Sequence, residues 1–117
     1  MGFVSGDFNR HPVAAFMEPV FRHLAKDPNV TVYVYYNRAI TDVYTTRLRS
    51  QVARWNDTSG LSDADLTEKI RSDGIDVLID LVGHTGYNRL LTFARKPAPV
   101  QASWMGYLGT TGIGAMD

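Results

Sequence analysis

A chain of 117 residues with 12 basic and 12 acidic side chains carries no net charge, so it lacks the basic footprint of a nucleic-acid or anionic-membrane binder. At 44% hydrophobic and 21% charged residues it has the composition of one soluble domain with a core, and no apolar run nears the ~20 residues of a membrane span. Having no cysteine, it has neither disulfides nor thiolate metal sites, and the cytoplasm is its default compartment.

The start, Met1-Gly2-Phe3-Val4, is too short and uncharged for a signal peptide. Gly6 stands where an N-myristoylation motif needs Ser or Thr. Residues 2–5 read as a short strand, and Pro12 suits the first turn of a helix. That helix gathers Val13, Phe16, Met17, Val20, Phe21 and Leu24 on one face and ends at Asp27-Pro28-Asn29. Residues 30–35 are β-branched or aromatic and form the second strand. A polar helix follows over about 41–52, then a brief extended stretch near 52–55. Ser62-Asp63-Ala64-Asp65 reads as a capping box opening a helix to about Ser72. After the Asp73-Gly74 turn, residues 75–82 are apolar on both parities, as in a buried parallel strand. A short helix over 88–95 closes at Lys96-Pro97, and 100–104 is the last strand. Strands alternating with helices predict an α/β fold, a doubly wound and mostly parallel sheet with right-handed crossovers. Opening in a strand and stopping at Ala115-Met116-Asp117, the chain reads as cut at both ends.

Two segments stand out, each an apolar strand running into a polar or glycine-rich loop, where open α/β sheets place ligands. The first is Val4-Ser5-Gly6-Asp7-Phe8-Asn9-Arg10-His11-Pro12. With Pro12 as the first helical residue, His11 is the N-cap, beside four unpaired backbone N–H groups and a partial positive charge. That field favours a neutral imidazole, able to accept a proton or a hydrogen bond. Asp7, four residues earlier, is placed to fix the His11 tautomer or take a proton itself. On spacing alone the leading reading is plainer: His11 is a cap and Asp7 a loop acceptor, each worth about 1 kcal/mol.

The second segment is Ala98-Pro99-Val100-Gln101-Ala102-Ser103-Trp104-Met105-Gly106-Tyr107, followed by Leu108-Gly109-Thr110-Thr111-Gly112. Its glycines allow close backbone approach to a ligand, but the spacing is not the dinucleotide pattern, and a flexible turn is the leading reading. Asp63-Ala64-Asp65 matches the D-x-D of metal-dependent glycosyltransferases, yet first-turn carboxylates favour the helix dipole anyway. His84, in Gly83-His84-Thr85, lies at the ligand-facing end of the sheet and reads equally as a structural histidine. His23 reads as a surface residue, and the histidine spacing makes no metal site. Tyr33, Tyr35 and Tyr36 read as packing residues, with no basic cluster beside them for base stacking.

Together these segments resemble the protein O-GlcNAc transferase family, which includes the SPINDLY-like transferases. The resemblance runs over nearly all of the chain but covers only part of a transferase. It implies that residues 1–117 form a single Rossmann-like domain, the amino-terminal half of a GT-B catalytic region. The partners it implies are a second Rossmann-like half holding most of the nucleotide, helical repeats, a nucleotide sugar and a protein acceptor. No nucleic acid or membrane is among them. By resemblance, Asp7 is a base or proton relay, and His11 positions the acceptor or stabilises the transition state. Pro12 and His84 line the site, and the backbone of Met105 and Gly106 meets the donor sugar. Two positions depart from the family: Ala15 stands where a second histidine is common, and Leu108 replaces a usual proline, removing a fixed φ angle.

The implied activity is transfer of N-acetylglucosamine from UDP-GlcNAc to Ser or Thr hydroxyls of proteins, with inversion and without metal or other cofactor. The isolated chain is expected to be inactive. One alternative is a SPINDLY-like O-fucosyltransferase using GDP-fucose. Another is a non-catalytic protein-binding α/β module, which Ala15 and Leu108 favour. A generic small-molecule-binding domain is disfavoured by the lack of a phosphate loop.

Overall fold

The computed structural model describes residues 1–106 and 109–117, so the loosening expected at Leu108 lies outside the described residues. Among these, β1 (Gly2–Ser5), β2 (Tyr33–Tyr36), β3 (Arg54–Asp57), β4 (Val77–Asp80) and β5 (Val100–Ser103) alternate with α1 (Pro12–Leu24), α2 (Val43–Arg49), α3 (Asp63–Ser72) and α4 (Leu90–Ala94). The sheet order is β3-β2-β1-β4-β5, and every pair is parallel. The chain winds outward from β1 to β3 and then crosses back to β4, which puts a topological switch point between β1 and β4.

Side-chain parity explains the two layers. On one face Phe3 of β1 and Val34 and Tyr36 of β2 pack with Val13, Met17 and Phe21 of α1 and Leu48 of α2. On the other, Val4 and Tyr35 pack with Leu78 of β4, Leu66 and Ile70 of α3 and Phe93 of α4. Helices on both faces explain why these strands lack a polar side. The three tyrosines behave as packing residues: Tyr35 and Tyr36 are buried, and Tyr33 lies beneath the Arg54 guanidinium.

Several boundaries differ from expectation. The strand expected from residue 30 starts at Tyr33, because pairing with β1 begins at Gly2↔Tyr33 and Val30 is held in a turn by Asp27. The stretch expected near 52–55 is β3, two residues later. β4 pairs only through Asp80, although the next residue, Leu81, still donates its N–H to Val4. Only half of the expected capping box forms at Ser62, whose hydroxyl accepts the Asp65 N–H. A reciprocal box closes instead at Asp42 and Thr45. α1 runs on through Pro19 to Leu24, its buried face outweighing one missing backbone donor. No described helix is long and apolar enough to cross a membrane.

Candidate active site at the carboxyl edge of the sheet

Since β1, β4 and β5 are adjacent and parallel, the loops that follow them emerge side by side, with β1 and β5 about 10 Å apart. The β1 loop is held from beneath. Phe8 is fully buried, and its ring packs against Phe21, Tyr36 and Trp55. The buried Asn9 amide donates to the Gly6 carbonyl and the Tyr36 hydroxyl. The Arg10 N–H donates to Asp42, whose carboxyl is held below the usual range chiefly by the Thr45 N–H, with Arg10 and Tyr44 adding to it. Pinned through Phe8, Asn9 and Arg10, the loop leaves the His11 side chain exposed and the Asp7 carboxylate beside it partly covered.

His11 is the N-cap of α1, with extended backbone, and its Nδ1 accepts the Val13 N–H at 3.1 Å. Such a bond needs an unprotonated Nδ1, so the proton of the neutral ring lies on Nε2. That nitrogen stands 3.9 Å from Asp7 Oδ1, with the carboxylate side chain 14% exposed and the imidazole 41%. The distance is too long for a direct hydrogen bond and short enough for one oxygen atom to contact both groups. Beside His11 lies a hollow of about 280 Å³ lined by Arg10, Pro12, Ala15 and Tyr44. Ala15, standing where the resemblance leads one to look for a second imidazole, leaves this space open.

The β4 loop is organised by a residue that sequence reading passed over. Asp80, fully buried, accepts the N–H groups of Val82 and Gly83 and the Ser103 hydroxyl of β5. One carboxylate thereby ties the second loop to the third. His84 follows, itself exposed, with Nε2 2.6 Å from the Thr111 carbonyl. At the end of β5, Met105 adopts φ 44° and its side chain packs against the core, while the Gly106 N–H returns to Trp104. A Cβ on Gly106 would lie 1.4 Å from the Leu81 carbonyl oxygen, so only glycine fits this approach. The turn reads on spacing as flexible; on its Met105–Gly106 side it is instead pressed against the Leu81–Val82 backbone just beyond β4.

The Asp63 carboxylate is engaged within the fold, taking Arg89 at 3.2 Å and the Thr92 hydroxyl at 2.9 Å, while Asp65 is exposed. No cluster of three or more metal-ligating side chains occurs among the described residues. Arg89, also passed over in the sequence, is 92% buried, being 8% exposed, and donates to Asn37, Asp63, Thr58 and Leu61. The hydrophobic flanks of Asn88-Arg89 disclose the helix but not the four partners. His23 is exposed, as expected.

With this geometry in place, the likeness to known proteins is specific. The family model for glycosyl transferase family 41 matches residues 1–117. A Solanum lycopersicum protein named probable UDP-N-acetylglucosamine–peptide N-acetylglucosaminyltransferase SPINDLY is 37% identical over 121 residues, covering 100% of this chain and 13% of its own. The Arabidopsis thaliana protein named SEC, with the same probable activity, is 36% identical over 118 residues and is covered to 12%. A solved O-GlcNAc transferase of Thermobaculum terrenum, a lysine-to-methionine mutant, superposes with TM-score 0.94 at 49% identity, over 99% of this chain and 22% of that one. The chain therefore spans about an eighth of the length of these curated relatives, 13% in the tomato protein.

Proposed function

The chain belongs to glycosyl transferase family 41, and we propose that it forms the acceptor- and sugar-facing half of an enzyme moving N-acetylglucosamine from UDP-GlcNAc to Ser or Thr hydroxyls of proteins. The observation that carries this reading is the Asp7–His11 pair, 3.9 Å apart, with the Nε2–H edge of His11 turned to the carboxylate. An acceptor hydroxyl about 2.8 Å from both groups bridges that gap. Its proton points to Asp7, and its oxygen accepts from His11 Nε2–H.

As the oxygen attacks the anomeric carbon, the carbon–oxygen bond to the diphosphate breaks and the leaving electron pair goes to the phosphate. The hydroxyl proton passes to Asp7. One displacement gives inversion. His11 in this tautomer positions the oxygen rather than taking its proton, because Nδ1 is already committed to Val13. Pro12 and His84 line the approach, and the stiff Met105–Gly106 turn offers backbone to the donor sugar. Stabilisation of the departing diphosphate falls to the second Rossmann-like half. The proposal needs no metal from this half, where Asp63 is spoken for by Arg89 and Thr92.

The test is donor turnover by the full-length parent, wild type against Asp7→Asn and His11→Ala, with UDP-GlcNAc and GDP-fucose side by side. Turnover of UDP-GlcNAc is expected in the wild type and falls by about 100-fold or more in Asp7→Asn, as for loss of a general base. The 117-residue chain alone is expected to turn over neither donor. A folded parent active only with GDP-fucose overturns the donor, and one inactive with both overturns the enzyme.

A further inference from the structure

A second cleft opens at the same edge, on the β2 side of the β1 loop. It measures about 440 Å³, and its lining includes Asn37, Arg38, Ser59, Asp63, Tyr87 and Arg89. Most of its polar groups are already committed. Arg89 is neutralised by Asp63 and satisfied by carbonyls, and the Asn37 amide joins Arg89 to the Tyr87 carbonyl. Ser59 donates to Asp57.

Arg38 is the exception. Its guanidinium lies 4.4 Å over the Tyr87 ring, its Nε is buried without a hydrogen-bond partner, and it forms no ion pair among the described residues. Stacking fixes the plane of the fork without neutralising it. Tyr87 is fixed in turn, with φ 62°, its carbonyl held by Asn37 and its Cβ seated over Gly6, where a glycine Cβ would lie 2.7 Å away. The cleft thus holds one oriented and uncompensated positive charge. Its wall touches the residue next to Asp7.

We propose that this cleft is a subsite for an acidic side chain of the protein acceptor, whose carboxylate pairs with Arg38 while a neighbouring hydroxyl lies between Asp7 and His11. The inference rests on the transferase reading for the identity of the occupant. A planar carboxylate matches the guanidinium fork, and the cleft, walled by Tyr87 and Asn37, is open and polar as a peptide side chain requires. With Arg89 balanced by Asp63, Arg38 is the one unpaired cation among the described residues lining the cleft, which favours a singly charged group.

Two labelled peptides test this, identical Ser/Thr-containing sequences flanked either by Glu or by Gln. Fluorescence anisotropy measures their binding to the full-length parent, apart from any turnover. The wild type is expected to bind the Glu peptide about tenfold more tightly, the scale of one charge-assisted contact. Arg38→Gln abolishes that preference, and Arg38→Glu inverts it, which no general loss of structure would do. Equal Glu preference in wild type and Arg38→Gln overturns the subsite, as does no preference in the wild type. Preference that follows Arg38 in a parent that transfers sugar to neither peptide upholds the carboxylate site and counts against the transferase reading alone.

Discussion

Replacing Gly106 with alanine tests whether the β5 turn is stiff. The added Cβ would lie 1.4 Å from the Leu81 oxygen, 2.2 Å from its carbonyl carbon and 2.9 Å from the Val82 nitrogen. Relief to ordinary contact needs a shift of about 2 Å. Neither wall yields cheaply. Leu81 donates to Val4 across the sheet, and Val82 donates to the buried Asp80 carboxylate. Bond-angle strain of 15° alone costs about 4 kcal/mol, so the cheaper escape is to open the turn. That sacrifices the Gly106–Trp104 hydrogen bond and pulls Met105 from the core. Overpacking at its upper range gives about 3 kcal/mol, which lowers Tm by about 12 °C for a domain of this size. Thermal unfolding by circular dichroism, with Gly86→Ala as control, reads the effect. An alanine Cβ at Gly86 meets nothing within 4 Å, so that variant should melt with the wild type. A Gly106→Ala variant melting within ~2 °C of wild type would refute the argument, because a turn that absorbs 2 Å so cheaply is not pressed against the Leu81–Val82 backbone.

Asp80→Ala leaves two buried N–H groups and the Ser103 hydroxyl without their acceptor, at a cost of about 3 kcal/mol in urea unfolding and with faster amide exchange at Gly83. A loss below ~1 kcal/mol with unchanged exchange would mean that the carboxylate does not hold the loop. Tyr35 has its phenol pKa pushed well above the ordinary value by burial and then by its hydrogen bond to Asp73. The folded state favours the neutral phenol, so this contribution is complete below the unfolded value of about 10 and is lost as pH rises through the folded value. Stability of the wild type should therefore fall more steeply above about pH 10 than that of Tyr35→Phe, and parallel alkaline profiles would contradict the assignment.

Local pattern disclosed the frame. Apolar spacing and Pro12 placed the start of α1, whose amphipathic face carries it through Pro19, although it ends at Leu24, short of the expected Asp27-Pro28-Asn29. The other strands followed from β-branched and apolar runs, whereas β3, Arg54-Trp55-Asn56-Asp57, showed only as a brief extended stretch near 52–55. Asp7 and His11 were legible because N-cap geometry is local, and the resemblance then gave them roles. What escaped was set by distant partners. Asp80 looked like one polar residue in a buried strand, and its ties to Ser103 depend on β5 lying alongside. Arg89 gathers groups from the ends of β2 and β3 and from the start of α3, up to 52 residues away. The turn after Trp104 read as flexible because its constraint is a contact with Leu81, which spacing within the turn cannot disclose.

The same division explains how the carboxyl edge of the sheet is built without using up its polar side chains. Each loop is fastened through groups that do not face solvent: Phe8 and Asn9 under the first, Asp80 under the second, the Gly106 approach under the third. His11 uses one ring nitrogen to cap α1 and keeps the other beside Asp7, and Arg38 uses its face on Tyr87 while its fork pairs with no described carboxylate. Here the fastened imidazole edge fixes the tautomer of the other, which is what the role proposed for His11 requires. The cap that spacing reads and the positioning role proposed for His11 use different nitrogens of one ring, so neither excludes the other.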